Sequence, residues 1–341
     1  THWKELMEYH DIETEVDPTK YFKNLSIVYE QSLAWTDEID FDDMLLHPVK
    51  HNYRFTKYQN IIVDEAQDLS SLQHEFLERL LVKGGRVIAV GDRHQAIYGF
   101  RGADASSMDR LRKRFDMVEY PLNLSYRCSK SVGRYAAEYV SHFQHLPEAP
   151  EGKVNSVYEL PQPGTMPEDT LVLCRFNAPL FAYGMLHLKE RRPVQLWTSL
   201  GSQLKARISS FKAKSTKAWL GQVNAWAISE KETAIREEKH YRLGQIDDMH
   251  NVLTSLAEGT TSPKMILKNL DSLLTSRRGP ILSTIHKAKG TEAKNVIIVN
   301  FDKMPSRFAK LDWMQVQEQN LIYVAITRAK LNLTFHMSGD E

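Results

Sequence analysis

Residues 61–68 read IIVDEAQD, in which three β-branched apolar residues run directly into a cluster of carboxylates. A short run of β-branched residues bounded by polar residues is typical of a buried strand. The segment RVIAVGD at 86–92 has the same character, and the residues between the two runs favour a helix, predicted over 70–82 and closed by Gly84-Gly85. Two buried strands joined by a helix predict a βαβ unit and therefore a parallel sheet with helices on its faces.

Further short hydrophobic runs predict a second group of strands. They lie at 171–176, 279–286, 295–301 and 332–337. Helical residues from about 200 to 279 interrupt this second group, and the segment 145–170, rich in Pro and Glu, suggests a surface connection. We therefore predict an α/β protein with two parallel-sheet domains and helical insertions.

Composition excludes several classes of protein. The 341 residues carry a formal net charge of +1, so bulk charge does not indicate a nucleic-acid-binding protein. The isolated Cys128 and Cys174 argue against a disulfide framework and against a structural zinc site. No apolar run approaches the ~18 residues that span a bilayer, and the first residues, THWKELMEYH, are not a signal peptide. We expect a cytoplasmic protein with no membrane partner.

The carboxylates after the first strand suggest a reaction. Ligands of doubly wound sheets bind beyond the carboxyl ends of the strands. There, Asp64 could hold Mg²⁺ and Glu65 could orient and deprotonate a water molecule, as hydrolysis of a nucleoside triphosphate requires. The structural alternative is an acidic helix N-terminus stabilised by the helix dipole, and an Asp-Glu pair alone does not decide between the two.

Four other segments carry residues suited to the same chemistry. They are VGDRHQAIYGFRGA at 90–103, LNLSYRCS at 122–129, STIHKAKGTEAKNVIIV at 283–299 and LIYVAITRAK at 321–330. Gln95 could reach a phosphate from the next strand edge, while Tyr126 and Arg127 offer a ring to stack on a base and a guanidinium to bind a phosphate. Taken singly, each segment is a weak signal, because a lone Tyr-Arg is usually packing with a surface charge and a lone Thr-Arg-Ala is usually part of an ordinary helix.

Taken in order, the five segments resemble motifs II to VI of superfamily 1 DNA helicases of the UvrD/Rep type, and IDFDDMLL at 39–46 resembles a motif just upstream. The resemblance spans nearly the whole chain. It implies two RecA-like domains with helical insertions, ATP and Mg²⁺ as cofactors bound between those domains, and 3′→5′ movement on single-stranded DNA. The implied partners are single-stranded DNA and duplex junctions, while replication or repair proteins that bind it stay unidentified.

The resemblance also implies domain boundaries. Residues 1–55 would form a helical insertion with the upstream motif, and 56–120 the C-terminal part of the first RecA-like domain. Residues 121–200 and 280–341 would form the second RecA-like domain, interrupted by a second helical insertion at 201–279.

Individual roles follow by position in the motifs. Asp64 would hold Mg²⁺, Glu65 would be the catalytic base and Gln95 would sense the γ-phosphate. The other nucleotide-site residues would be Arg127 and Arg328 at the γ-phosphate, Tyr126 on the adenine, and Glu292 with Gly290 in motif V. The DNA-contacting residues would be Tyr98, Phe100, Arg101, Thr284 and His286. The family often has Trp where Phe100 stands, so we expect weaker stacking on a base.

A basic region spans the start of the second insertion. From Arg191 to Ser229 there are seven basic residues and no acidic ones, with aromatic residues between them. Basic side chains bind phosphates and aromatic rings stack on bases. We expect the tryptophans, Trp197, Trp219 and Trp226, to be core residues, and a phosphate-contacting patch to include Lys205, Arg207, Lys212 and Lys214.

One motif of the family is missing. A P-loop, GxxxxGK[ST], does not occur, since Gly152-Lys153 has no glycine five residues earlier, and the family's glutamine motif is also absent. Because the chain also begins without Met, we expect it to start inside a longer protein, and residues 1–341 alone to hydrolyse little ATP. The alternative is a natural protein without a P-loop.

Two other functions and one other ligand compete with this interpretation. A non-catalytic DNA-binding module would have no use for Asp64, Glu65 and the two arginines. A helicase–nuclease subunit would need a nuclease domain that nothing in this sequence indicates. The acidic residues between Asp37 and Asp43 could suggest Ca²⁺, but they lack the glycine and ligand spacing of an EF-hand loop.

Overall fold

A computed structural model describes residues 18–35, 37–99, 106–236, 241–307 and 309–339. The chain divides into two compact units. The first comprises residues 1–120 with 235–239, and the second comprises residues 121–234 with 240–341. Both units contain parallel strands, and the predicted α/β class is confirmed.

The first unit contains a two-stranded parallel sheet with helices before, between and after its strands. Its elements are α1 (Pro18–Ala34), α2 (Asp43–Lys50), β1 (Tyr58–Val63), α3 (Ser71–Leu80), β2 (Leu81–Ala89) and α4 (Ser107–Arg114). Helix α3 begins with a capping box, in which Ser70 and Gln73 each accept a hydrogen bond from the other's backbone N–H. This cap sets the start of α3 shortly after the acidic end of β1.

Gly84 and Gly85 do not close α3, which corrects the predicted helix over 70–82. The helix ends at Leu80, and both glycines lie inside β2. Pairing of the two strands starts at Tyr58 with Leu81 and resumes at Asn60 with Arg86. Gly84, with φ of +75°, lies in this irregular stretch, where its missing Cβ makes a left-handed conformation accessible.

The two faces of the β1–β2 sheet differ. Val63 packs with Ala66 and Leu111 in a small core, and Ile61 and Val87 pack against that core. On the opposite face Ile62 pairs in register with Ile88, and both side chains are exposed. The alternation follows from the two-residue period of a strand.

The acidic residues near α2 serve as a helix cap. The Asp40 carboxylate accepts hydrogen bonds from the N–H groups of Asp42 and Asp43, at 2.8 Å and 2.9 Å. This satisfies amides at the start of α2 that have no partner within the helix. Among the described residues there is no group of three or more His, Cys, Asp or Glu side chains arranged to hold a metal ion.

The second unit is built on a six-stranded, fully parallel sheet of order β5-β10-β9-β6-β8-β7. These strands are β5 (Lys153–Val157), β6 (Thr170–Cys174), β7 (Gln195–Trp197), β8 (Ile281–Thr284), β9 (Ala293–Val299) and β10 (Ala329–His336). A separate parallel pair is formed by β3 (Leu124–Ser125) and β4 (Gln144–His145). Every residue of the central strand β6 is buried, as expected of a sheet covered on both faces.

Sequence patterns missed both edge strands of this sheet. Strand β5 lies within the segment that we predicted to be a surface connection, and its residues are exposed or half-buried. Strand β7 has three residues. An edge strand pairs on one side only and needs few apolar residues, so its sequence resembles a loop.

Helices complete the second unit. They are α5 (Lys130–Ala137), α6 (Ala178–Lys189), α7 (Gly201–Ser210), α8 (Thr216–Arg236), α9 (Tyr241–Ala257), α10 (Pro263–Thr275) and α11 (Asp312–Ile326). Trp219 is fully buried in the core that α6 to α10 share with the sheet, and its indole N–H donates to the Ile208 carbonyl. Trp219 is therefore a core residue, as expected. Within the described residues, every helix is too short or too polar to cross a bilayer.

A carboxylate on α9 caps α6, which leads to a prediction on stability. Asp248 accepts hydrogen bonds from the Asn177 N–H and side-chain amide and from the Ala178 N–H, at 2.7–3.0 Å. Asp248→Ala leaves these donors without their acceptor, so we expect a loss of about 1–3 kcal/mol in the free energy of unfolding. Chemical denaturation followed by circular dichroism measures this change.

The neighbouring Asp247 provides the control. It pairs with Lys231, and both side chains are 40% exposed. Asp247→Ala should cost less than about 1 kcal/mol, because solvent screens such pairs. Equal losses in the two variants would contradict the capping role of Asp248.

Candidate functional site

In the first unit, polar side chains collect at the carboxyl ends of β1 and β2. Asp64 follows β1 directly, is exposed, and accepts a hydrogen bond from the Glu65 N–H at 2.9 Å. Glu65 has φ of +50° and ψ of +40°, a left-handed conformation that is uncommon for residues other than glycine. Such conformations concentrate at functional sites, where the surrounding structure maintains them.

The side chain of Gln67 joins the ends of the two strands. Its Nε2 donates to Glu65 Oε2 at 2.5 Å, and its Oε1 accepts from the Asp92 N–H at 3.0 Å. The side-chain carboxylate of Asp92 in turn accepts a hydrogen bond from Gln95 Nε2 at 2.8 Å. The structure therefore brings Glu65 and Gln95 together in one hydrogen-bonded chain.

Sequence reasoning did not assign Gln67 or Asp92. The one sequence feature that points to their contact is Gly91, which directly follows the apolar end of the second strand. A Cβ at position 91 would lie 2.5 Å from Gln67 Oε1, so a residue without a side chain is required for this contact. A glycine in that position can indicate close approach of another group, although the group itself cannot be read from the sequence.

In the second unit, motif residues from distant parts of the chain form a second cluster. Arg127 follows β3, while Arg328 lies in the turn between α11 and β10. The Arg127 guanidinium pairs with Glu292 and donates to the Thr327 carbonyl at 3.4 Å, a contact between residues 200 apart in sequence. Lys330 pairs with the second oxygen of the Glu292 carboxylate at 2.5 Å.

Arg328 is the most deeply buried charge in this cluster, with 2% of the residue exposed. Its guanidinium donates to the carbonyls of Val324 and Thr291 and to the Thr327 hydroxyl, at 3.0–3.4 Å. Burial, and next the repulsion from Arg127, lower the pKa of Arg328 to about 10. The arginine remains a cation at neutral pH, and its ionised form is destabilised by its surroundings.

The pKa of Glu292 is also lowered, which for a carboxyl group favours the ionised form. The hydrogen bond from Lys330 is the largest cause that lowers the pKa of the Glu292 carboxyl, and Arg127 adds to it. Tyr126 extends into solvent, with 80% of the residue exposed. Gly290 has φ of +84°, and a Cβ there would meet no atom within 4 Å, so the backbone borders open space.

The DNA-contacting residues predicted from the sequence come from both units. Tyr98 is half-buried in the first unit, while Phe100 and Arg101 lie outside the described residues. In the second unit Thr284 ends β8, and His286 follows it two residues later.

Two of the four residues in the predicted phosphate-contacting patch interact with other side chains. Lys205 pairs with Asp271 of α10 at 2.6 Å, and the Arg207 guanidinium lies 4.7 Å from the Trp226 ring centroid. Lys212 and Lys214 are exposed, although Lys212 also donates to the Ser209 carbonyl at 3.2 Å. An acidic partner for Lys205 comes from a helix distant in sequence, so a local count of charges could not reveal it.

Known proteins share these motifs. Residues 3–116 match the UvrD/REP helicase N-terminal domain, and residues 187–339 match the UvrD-like helicase C-terminal domain. F-box DNA helicase protein 1 of Schizosaccharomyces pombe is 27% identical over an alignment that covers 95% of this chain. That alignment covers 40% of the relative, so the chain spans less than half of its length.

Two further comparisons cover less of the chain. The ATP-dependent DNA helicase PcrA of Staphylococcus epidermidis is 30% identical over 33% of this chain and 17% of its own length. The match to a crystal structure of the C-terminal domain of a possible DNA helicase from Lactobacillus plantarum covers 63% of this chain and 89% of that domain's chain, at 14% identity. Its TM-score of 0.28 is too low to compare the folds. The two domain matches and the order of the motifs show that the chain belongs to the UvrD/Rep family of superfamily 1 DNA helicases.

Proposed function

We propose that this chain carries most of the motor of an ATP-dependent DNA helicase that moves 3′→5′ on single-stranded DNA. The observation that supports this most strongly is the pair of arginines in the second unit. Arg127 lies close enough to Arg328 to contribute to the lowered pKa of Arg328, although the two are far apart in sequence. Direction of movement is proposed from membership of the family.

The arginine pair has an electrostatic cost that a bound anion would offset. Like charges repel more strongly in a partly buried environment than in water. The cluster contains three cations, Arg127, Arg328 and Lys330, and Glu292 supplies one negative charge to it. We propose that the γ-phosphate of ATP supplies further negative charge, bound through charge-assisted hydrogen bonds from the planar guanidinium groups.

The first unit would supply the hydrolytic groups. We propose that Glu65 is the general base that orients and deprotonates the attacking water, and that Gln95 senses the γ-phosphate. Asp64 suits one ligand of Mg²⁺, because it is an exposed carboxylate at a strand end and Mg²⁺ takes one or two carboxylates alongside waters and phosphates. When bound, the ion would neutralise charge on the phosphate oxygens.

The remaining assignments concern the base of ATP and the DNA. We propose that Tyr126 stacks on the adenine and that Glu292, with Gly290 beside open space, contacts the nucleotide. Thr284, His286 and Tyr98, together with Phe100 and Arg101, would contact single-stranded DNA. Lys212 and Lys214 are the exposed residues of the proposed phosphate-contacting patch. Partially single-stranded duplexes would be the physiological substrates.

A substitution of Glu65 tests the reaction. In the full-length polypeptide, Glu65→Gln should lower DNA-stimulated ATP hydrolysis by about 10²–10⁴-fold, because an amide accepts no proton from water. Binding of nucleotide and single-stranded DNA should persist, as measured by fluorescence anisotropy. Unwinding of a 3′-tailed duplex, but not of a 5′-tailed one, should occur with the unsubstituted protein and be lost in the variant.

Glu75→Gln is the matched control. Glu75 lies on α3 and pairs with Arg79 near the surface. This variant should hydrolyse ATP normally. Normal hydrolysis by Glu65→Gln would remove Glu65 from the proposed role, and equal unwinding of both tailed duplexes would contradict the proposed direction.

Lysine substitutions test the arginine pair. Arg127→Lys and Arg328→Lys keep the charge and remove the planar guanidinium, so each should slow hydrolysis, by on the order of 10³-fold if the guanidinium acts on the transferring phosphate. DNA binding at low salt should be retained. Arg134→Lys, an exposed residue paired with Glu151, is the control and should have normal activity. Unchanged hydrolysis in both Arg127→Lys and Arg328→Lys would contradict the proposed phosphate site.

The charge state of Glu292 provides a test without ATP. Lys330→Met removes the largest cause of the lowered Glu292 pKa, so that pKa should rise towards the ordinary carboxyl value in an NMR titration of ¹³C-labelled glutamate. Because the folded-state pKa is lowered, this pairing stabilises the fold above the unfolded-state pKa, and the stabilisation is lost as the pH falls through the folded-state value. Lys294→Met, two residues from Glu292, should leave the titration unchanged, since Lys294 lies 4.0 Å from Asp169. An unchanged Glu292 titration in Lys330→Met would contradict the assigned cause.

A further inference from the structure

We propose that Gln67 is a positioning residue that couples the base Glu65 to the phosphate-sensing segment Asp92–Gln95. This inference rests on the proposed function of Glu65. The carboxamide of Gln67 forms hydrogen bonds with both Glu65, which follows β1, and Asp92, which follows β2. Glu65 itself is exposed, and its hydrogen bond with Gln67 restricts the rotation of its side chain.

The hydrogen bonds determine the orientation of the carboxamide. The Glu65 carboxylate accepts at 2.5 Å and therefore faces the NH₂ group of Gln67. The Asp92 N–H only donates, at 3.0 Å, and therefore faces the Gln67 carbonyl oxygen. A flipped carboxamide would place two acceptors together at one end and two donors together at the other. Gln67 is 2% exposed, so water does not readily replace either contact.

Packing holds Gln67 in this place. A Cβ at Gly91 would lie 2.5 Å from Gln67 Oε1 and 3.1 Å from the Ala66 nitrogen. The backbone on the opposite side is held by a buried chain, in which the Ser107 hydroxyl donates to the Ala66 carbonyl at 2.8 Å and contacts His74 Nε2 at 2.9 Å. The Ala66 carbonyl, between Glu65 and Gln67, is therefore held by Ser107 of α4, which in turn contacts His74 of α3.

The arrangement supplies a physical route for coupling. The Gln95 amide donates to the Asp92 carboxylate, and the Asp92 N–H donates to Gln67. A displacement of Gln95 towards a phosphate would pull on Asp92 and, through Gln67, change the position of the Glu65 carboxylate. Because hydrolysis depends on the alignment of base and water, a displacement of about 1 Å can change the rate by about 10²-fold.

The central test is Gln67→Met, which keeps the length of the side chain and removes both hydrogen bonds. In the full-length polypeptide, kcat for DNA-stimulated ATP hydrolysis should fall about 10–100-fold, while KM for ATP changes less than about twofold, since Gln67 does not bind ATP. Gln59→Met, at an exposed position of β1, is the matched control and should leave kcat unchanged.

A double substitution separates positioning from simple destabilisation. If Gln67 acts through Glu65, then Gln67→Met should cause little further loss of single-turnover rate in a Glu65→Gln background. An additive loss would overturn the inference, because damage to the fold would lower the rate in either background. If Glu65→Gln alone keeps full activity, the proposed function fails. If that variant loses activity but Gln67→Met does not, only the coupling role fails.

If circular dichroism shows that the Gln67→Met variant does not fold, Gly91→Ala provides a second test of the proposal. The added methyl group displaces the Gln67 carboxamide without removing it, so kcat should again fall at a nearly constant KM. Gly221→Ala is the matched control, because a Cβ at that helical position meets no atom within 4 Å. Folded Gly91→Ala protein with an unchanged kcat would overturn the proposal.

Discussion

Parallel pairing of strands is the constraint on which the rest of both units depends. Strands that run in the same direction end at one edge of their sheet, so polar residues that follow them meet there. In the first unit this brings the loop after β1 beside the loop after β2, and Val90 and Ala66 continue the pairing beyond the strands through backbone hydrogen bonds. The positions of Glu65 and Gln95 follow from that pairing together with the Gln67 bridge.

In the second unit, parallel pairing also brings charged residues together, here at the amino ends of two strands. Strands β9 and β10 are neighbours in the sheet, Glu292 directly precedes β9, and Lys330 is the second residue of β10. The pairing therefore holds two residues of opposite charge side by side, and Arg127 reaches the same carboxylate from the end of β3. Charges that repel one another are maintained here because buried apolar strands and α11 hold the backbone beneath them.

Hydrophobic pattern predicted the interior of each sheet more reliably than its edges. Strands β6 and β9 were recognised because continuous burial requires a continuous apolar run. The edge strand β5 is mostly polar and β7 is only three residues long, and their pairing with a neighbour is a long-range property. The misplaced end of α3 has a related cause, since Gly84 and Gly85 are compatible with a helix end and with an irregular strand.

The sequence by itself determined the family, the α/β class and the identity of the motif residues, because these depend on the order and type of nearby residues. Only the tertiary structure decided which side chains connect those motifs. Gln67 contacts Asp92, and Lys330 contacts Glu292, across separations that no periodic pattern encodes. The same holds for Lys205, whose partner Asp271 comes from another helix. Such contacts depend on how the strands and helices pack, and packing is a property of the whole unit rather than of any local segment.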